Sequence, residues 1–305
     1  MTPRTDFAEH APSVPRTTPR KRTDENVCKP VAMSSHQSDL VFAGSIPDLY
    51  ERYLVPMIFQ PYADDLAGRL VDLHPGDLLE LAAGTGAVTR ALASQLPAST
   101  AITATDLNQP MIDHAAAIGT TRPVTWRQAD AVDLPFDDAC FDAVVCQFGV
   151  MFFPDRHKAF TEMRRVLRPG GSVVFNVWDR LEQNQFETTV TDALATMFPD
   201  DPPLFLARTP HGYHDTERIR ADLVAAGFNS LLTIDTVPAR SLAASCNDPA
   251  IGFCQGSPLR NEILARNPDG LADATSVAAR LIAERFGESN IDGAMSAHVV
   301  TARKA

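Results

Sequence analysis

Two carboxylates bracket a glycine turn in this sequence. Leu79-Glu80-Leu81-Ala82-Ala83-Gly84-Thr85-Gly86 passes from an apolar stretch through an acid into small residues. A helical pattern follows at once, from Ala87 to Leu96. Asp106 closes a second apolar run, Ala101 to Thr105, about 20 residues after the turn, the distance a nucleotide-binding βαβ unit needs. The glycines let backbone approach a ligand where a Cβ would clash. Asp106 sits where a ribose hydroxyl pair finds an acceptor. A dinucleotide fingerprint needs a third glycine, and Gly84-Thr85-Gly86-Ala87-Val88-Thr89 has threonine there, so a pyrophosphate is poorly provided for. Glu80 repels phosphate and suits a cationic amine. Together these residues point to a positively charged, phosphate-free nucleoside. The plainer alternative is a tight turn that binds nothing.

The elements that must position these residues follow from periodicity. Strands are expected at Asp77 to Ala82, Ala101 to Asp106, Val124 to Gln128, Phe141 to Phe148 and Ser172 to Trp178. Helical patterns lie between them at Ala87 to Leu96, Pro110 to Ile118 and Arg156 to Leu167. Such alternation implies a parallel sheet with helices on both faces. Asp215-Thr216 caps a further helix that ends before Gly227. Leu231 to Val237 and His298 to Ala302 read as two last strands. Segments 180–214 and 240–293 stand outside the alternation as helix-and-loop inserts. They leave the sheet near the carboxyl ends of strands, where ligands bind in such folds, and are expected to cover a substrate.

The chain resembles the class I S-adenosylmethionine (SAM) dependent methyltransferases, with the ubiquinone/menaquinone-type small-molecule group nearest. Ordered segments carry the resemblance: Leu79 to Gly86; Ala104-Thr105-Asp106-Leu107-Asn108 with Met111; Gln128-Ala129-Asp130-Ala131 followed by Leu134-Pro135-Phe136; Phe141 to Phe148; and Leu167-Arg168-Pro169-Gly170-Gly171. They span about Leu78 to Trp178. The resemblance implies an α/β fold, a Rossmann-like doubly wound seven-stranded sheet, mostly parallel with an antiparallel last strand, plus helical lid inserts. Residues 39–305 would form this single domain, with Met295 to Arg303 inside it.

The resemblance also assigns a cofactor, SAM, and roles. Glu80 would face the methionine amino group, directly or through water, and Gly84 and Gly86 would line the amino-acid portion. Asp106 would accept both ribose hydroxyls, with Leu107 and Met111 packed near adenine. Asp130 would accept from the adenine amino group, and the Ala131 N–H would donate to the ring. Gln147 and Phe148 would end the fourth strand beside the reacting methyl. The family usually has glycine where this chain has Ala82, so the ligand's amino-acid end must tolerate a methyl group. Ordinary capping of loop N–H groups is the alternative for Asp106 and Asp130, and core packing for Met111 and Phe148.

Methyl transfer is displacement at carbon, and a protein contributes mainly proximity and orientation. No metal site is expected. His211 and His214, in His211-Gly212-Tyr213-His214, lack further ligands nearby for zinc. Either would serve as a general base to a hydroxyl acceptor, the alternative being a surface or capping histidine. Cys254 in the second insert is either a substrate contact or a buried thiol. Tyr50 and Tyr53 recur with Leu54 at helical spacing. They form either a core stripe or, as in the proteins this sequence resembles, a helix closing over the methionine end of SAM. An NAD(P)-dependent oxidoreductase and a non-catalytic methyltransferase-like scaffold remain as alternative functions.

Composition narrows the setting. The 305 residues carry a net charge of -11, which argues against non-specific binding to nucleic acid or anionic membrane. No apolar run is long enough to span a bilayer. Five scattered cysteines without a C-x-x-C pair suggest free thiols in a reducing, cytoplasmic compartment. The stretch through about Ser38, rich in Pro, Thr, Ser and charge, reads as a disordered, dispensable tail, with Met33 a plausible start. Its Arg20-Lys21-Arg22 cluster reads as solvated charge.

Overall fold

The computed structural model describes residues 1, 39, 42 and 44–305. Apart from Met1, the expected disordered tail, with Arg20-Lys21-Arg22, Cys28 and Met33, lies outside the described residues. Helix α1 (Ile46–Leu49) runs directly into a wider-wound segment, Tyr50–Phe59, and on into α2 (Gln60–Leu73). At the end of the wide segment the Gln60 N–H donates to the Val55 carbonyl, five residues back. Pro56 lies inside this segment and has no N–H to give to a regular ladder. Wide turns of this kind gather at functional sites.

The core alternation then follows: β1 (Asp77–Leu81), α3 (Ala87–Gln95), β2 (Ala101–Asp106), α4 (Gln109–Ile118), β3 (Thr125–Gln128), β4 (Phe141–Gln147), α5 (Arg156–Val166) and β5 (Leu167–Trp178). Each of these five strands is present within a few residues of its expected place, except that β5 begins at Leu167 rather than Ser172. Leu78, Leu79, Val144, Val145, Val173 and Val174 are fully buried, as a sheet covered on both faces requires. The first insert holds α6 (Gln185–Met197) and the single turn α7 (Phe205–Arg208). Next comes α8 (Thr216–Ala225), whose Asp215 cap accepts from the Glu217 and Arg218 N–H groups.

The sheet closes with β6 (Leu232–Ser245) and β7 (Ser289–Arg303), giving seven strands in the order β3-β2-β1-β4-β5-β7-β6. Strand β7 runs antiparallel to both β5 and β6; the remaining pairs are parallel. Both last strands are longer than periodicity indicated. Arg240 to Ser245 pairs with Ser289 to Ala294 as a ribbon extending the β6–β7 ladder. The expected insert at 240–293 therefore shrinks to residues 246–288, which hold α9 (Asn247–Gln255), α10 (Leu259–Arg266) and α11 (Leu271–Phe286).

Strand order reverses at β1, which pairs β2 on one side and β4 on the other. The carboxyl ends of these strands frame a crevice, the place such sheets offer a ligand. The turn leaving β1 needs three left-handed residues: Ala82 at φ 53°, Gly84 at φ 57° and Gly86 at φ 86°. Alanine at the first of these bears the steric cost that glycine escapes. Ala82→Gly is expected to raise stability by about 1 kcal/mol, the αL relief outweighing the looser unfolded chain. Thermal and urea unfolding would check this.

Candidate active site

A cavity of about 1330 Å³, open mouth included, lies over the carboxyl ends of β1, β2 and β4. Its two halves differ in chemistry.

The first half is built by the loops after β1, β2 and β3. Ala82, Gly84, Asp106, Leu107, Met111, Asp130 and Ala131 all line it, with Thr105, Asn108 and Ala129 beside them. Asp106 organises the group. One carboxylate oxygen accepts the Gly84 N–H at 2.9 Å, and the other accepts the Asn108 N–H at 2.8 Å. The Ala129 N–H adds a bond to the Asp106 carbonyl at 3.0 Å, and the Ala83 N–H one to the Thr105 carbonyl at 2.9 Å. Burial lifts the Asp106 carboxyl above its ordinary range, while the Asn108 and Gly84 donors draw it back. Asp130 is exposed at the mouth and accepts from the Val132 N–H at 3.0 Å. Both acids thus cap loop backbone and also face the cavity; the two readings of them are compatible.

The second half is apolar and was largely invisible in the sequence. Gln147 and Phe148 border it, as expected. Phe148, at φ 49°, stacks on Trp178 with ring centroids 3.7 Å apart and planes 6° from parallel. Phe59 from the wide segment and Phe205, Phe253 and Pro258 from the inserts complete the walls. Both inserts therefore contribute to the chamber. His211 also lines it, buried, with Nδ1 2.8 Å from the Asp179 carbonyl oxygen. A carbonyl only accepts, so the proton is on Nδ1 and Nε2 presents a lone pair. Burial pushes His211 down to about 4, so the ring is neutral. Glu187 on α6, not singled out from the sequence, lines the same chamber.

Five candidate site residues lie elsewhere. Glu80 is fully enclosed behind the turn, where it accepts from the Thr89 hydroxyl at 2.6 Å, and it does not border the cavity. Gly86 serves α3 as its N-cap; a Cβ there would meet Ala115 and Trp126 rather than a ligand. Tyr53 is half-buried, with Arg52 over its ring and its Cβ beside Gly252 of α9. The wider winding turns less per residue than a regular helix, so three positions carry Tyr53 off the face that Tyr50, Leu54 and Phe59 share. His214 lines a separate polar recess with Asp179 and His298. Cys254 is buried away from the cavity. Tyr50 is placed as expected: its hydroxyl is 4.0 Å from where a Gly84 Cβ would stand, and its ring stacks on Phe59 at 4.8 Å. Burial, reinforced by Asp106, holds that hydroxyl protonated well above its ordinary range. Arg90 ties the covering segment down, donating to the Thr85 carbonyl at 2.7 Å and pairing with Glu51 at 2.6 Å.

Comparison with known proteins decides the family. Residues 79–175 match the family described as methyltransferase domain. A ubiquinone/menaquinone biosynthesis C-methyltransferase of Ralstonia pickettii is 30% identical over 172 residues, 52% of this chain and 70% of that protein. The chain belongs to the class I SAM-dependent methyltransferases. A Geobacter protein of the same description is 40% identical over 103 residues, 32% of this chain and 44% of that protein. Among solved structures, the YcgJ protein of Bacillus subtilis superposes with a TM-score of 0.49 at 18% identity, covering 79% of this chain and 98% of that one. This small-molecule methyltransferase uses SAM, and membership leaves the oxidoreductase reading without support. Its cavity fits that cofactor. Gly84 leaves open the space a Cβ would fill, Asp106 retains lone pairs toward the cavity, and Gln147 Oε1 is buried without a partner. Among the described residues no group of three or more His, Cys, Asp and Glu could hold a metal ion, and no helix is long and apolar enough to cross a membrane.

Glu80 generates a prediction about pH. Burial drives its carboxyl up to about 8, with Thr89 and Arg90 opposing and Asp106 reinforcing. An acid that binds its proton more tightly folded than unfolded favours the fold fully below its ordinary 4.5, and that contribution is lost as pH rises through about 8. Glu80→Gln keeps a partner for Thr89 but never ionises. Its stability relative to the parent is expected to increase from about pH 5 to about pH 9, by on the order of a few kcal/mol. Thermal unfolding of both proteins across that range would measure it.

Proposed function

We propose that this methyltransferase holds SAM in the polar half of the cavity and a flat, largely apolar acceptor in the aromatic half. The observation that carries this reading is the continuity of the two halves at Gln147 and Phe148, where β4 ends. SAM supplies an electrophilic methyl group on a sulfonium. The chain's task is then to orient two molecules in line and to exclude water. Asp106 would accept the ribose hydroxyls with the lone pairs its backbone donors leave free. Asp130 and the Ala131 N–H would meet adenine at the mouth, with Leu107 and Met111 against its faces. Ala82 and Gly84 would border the amino-acid end, and Tyr50 would close over it, held by the Arg90–Glu51 clasp.

The Ralstonia relative is described as acting in quinone biosynthesis, which together with walls of Phe59, Phe148 and Trp178 supports an aromatic acceptor of quinol or phenol size. The free thiols Cys140, Cys146, Cys246 and Cys254 support a reducing, cytoplasmic setting. The acidic balance of the chain supports a small molecule rather than nucleic acid as its partner.

Asp106→Ala is expected to weaken SAM binding by about 1–3 kcal/mol, the range for a lost charged hydrogen-bond acceptor. Calorimetric titration with SAM and with NAD checks it. Equal affinity in parent and variant, or preference for NAD, defeats the assignment. Tyr50 gives a second expectation. Tyr50→Leu removes the covering ring, and turnover should fall by about tenfold or more while the melting temperature changes little. Loss of melting temperature with full turnover per folded molecule would make Tyr50 a packing residue only.

A further inference from the structure

Glu187 is the third residue of α6 and is only 2% exposed, yet it lines the aromatic half of the cavity. Its Oε1 is buried without a hydrogen-bond partner. An acid three residues after an Asn N-cap ordinarily reaches back to the cap's N–H. That N–H is already committed, from Asn184 to the Leu181 carbonyl at 2.9 Å. No ion pair with a basic group accounts for the acid, since burial and its own N–H are the influences on its charge. The neighbouring Tyr62 hydroxyl is spent on the Val237 carbonyl at 2.9 Å. A buried carboxyl so placed costs the fold free energy unless something completes it.

Two further groups of the chamber, on Gln147 and His211, also present acceptors. Gln147 donates from Nε2 to the Phe59 carbonyl, at 3.4 Å, which leaves Oε1 as its free atom. His211 presents the lone pair of Nε2. Glu187, Trp178 and His211 line the same chamber: the His211 and Trp178 ring centroids are 6.1 Å apart, and Tyr62, whose hydroxyl feels the Glu187 charge, meets Trp178 edge-on at 5.5 Å. A ligand that fills these three acceptors must bring donors.

We propose that Glu187 is a catalytic residue that takes the proton of an acceptor hydroxyl, with His211 accepting from a second donor of the same molecule; the proposal rests on the methyl-transfer reading. A neutral amine attacks a methyl group without first losing a proton, whereas a hydroxyl needs a base, and a base is what the chamber offers. The acceptor's O–H bond breaks and its proton passes to Glu187. The electron pair released forms the new bond to the methyl carbon, from oxygen or from a ring carbon conjugated with it. The pair of the broken C–S bond stays on sulfur. Basicity assigns the roles: burial raises Glu187 to about 7 and lowers His211 to about 4.

The test uses the full chain saturated with S-adenosylhomocysteine and titrated calorimetrically with 2-naphthol, naphthalene and 2-naphthylamine. The parent should bind 2-naphthol more tightly than the other two. Glu187→Leu should weaken 2-naphthol about tenfold and leave naphthalene and S-adenosylhomocysteine unchanged. Glu187→Gln, which preserves shape should the leucine variant fail to fold, should weaken 2-naphthol less but measurably. No preference for the hydroxyl in the parent, equal losses for naphthol and naphthalene, or tighter binding of the amine would each overturn the assignment alone. Failure of S-adenosylhomocysteine to bind the parent would overturn the methyl-transfer reading, and this role with it.

Discussion

The carboxylate of Asp106 is the tie on which the site depends. It gives one oxygen to the loop after β1 and the other to the loop after β2, through the Gly84 and Asn108 N–H groups. Both loops leave adjacent, hydrogen-bonded strands beside the point where strand order reverses, and the carboxylate carries that pairing on past the strand ends. Charge-assisted bonds to backbone are short and roughly twice as strong as neutral ones. The same carboxylate faces the cavity, so the group that shapes the crevice is also available to a ligand in it. An uncharged or longer residue at this position would lose both functions together.

The parts of the fold legible in the sequence are those whose pattern arises from burial on both faces or from turn chemistry. Strands β1, β2 and β4 are apolar runs ended by Glu80-Leu81, Asp106 and Gln147, and the Asp215 cap is a local hydrogen-bonding signal that the structure repeats. The resemblance supplied the antiparallel β7 and most of the polar half of the cavity. The extension of β6 and β7 stayed hidden because Arg240 to Ser245 alternates in burial but not in polarity: Ser241 is buried while Leu242 is exposed. The wide segment was hidden too. Its residues scan as an ordinary helix, and only the offset of each bond by one residue separates Tyr50, which reaches the cavity, from Tyr53, which does not.

Glu80 and Glu187 illustrate the same difficulty in opposite directions. Glu80 stands in a strong motif, but its position in β1 sends its side chain to Thr89 of α3, so the motif position alone does not disclose where the acid points. Glu187 stands in an undistinguished stretch, Gln185-Phe186-Glu187-Thr188-Thr189, that reads as the solvated start of a helix. Only the packing of α6 against α9, α11 and β7 makes it an interior group. Function that resides in inserts depends on tertiary placement, whereas function at a strand end is written into the strand.

One physical cause orders the chemistry of the aromatic chamber. Removing water penalises charge of either sign, so it raises an acid and lowers a base. In solution a histidine is a stronger base than a carboxylate by about two pKa units. Inside this chamber the order is inverted, because Glu187 rises from 4.5 to about 7 while His211 falls from 6.5 to about 4. The bond from His211 Nδ1 to the Asp179 carbonyl preserves the neutral tautomer without supplying the negative charge that would restore its basicity. A dry chamber therefore turns its histidine into an orienting acceptor and its carboxyl into the group able to exchange a proton near neutral pH. The walls that exclude water from the acceptor thus also determine which side chain can serve as the base.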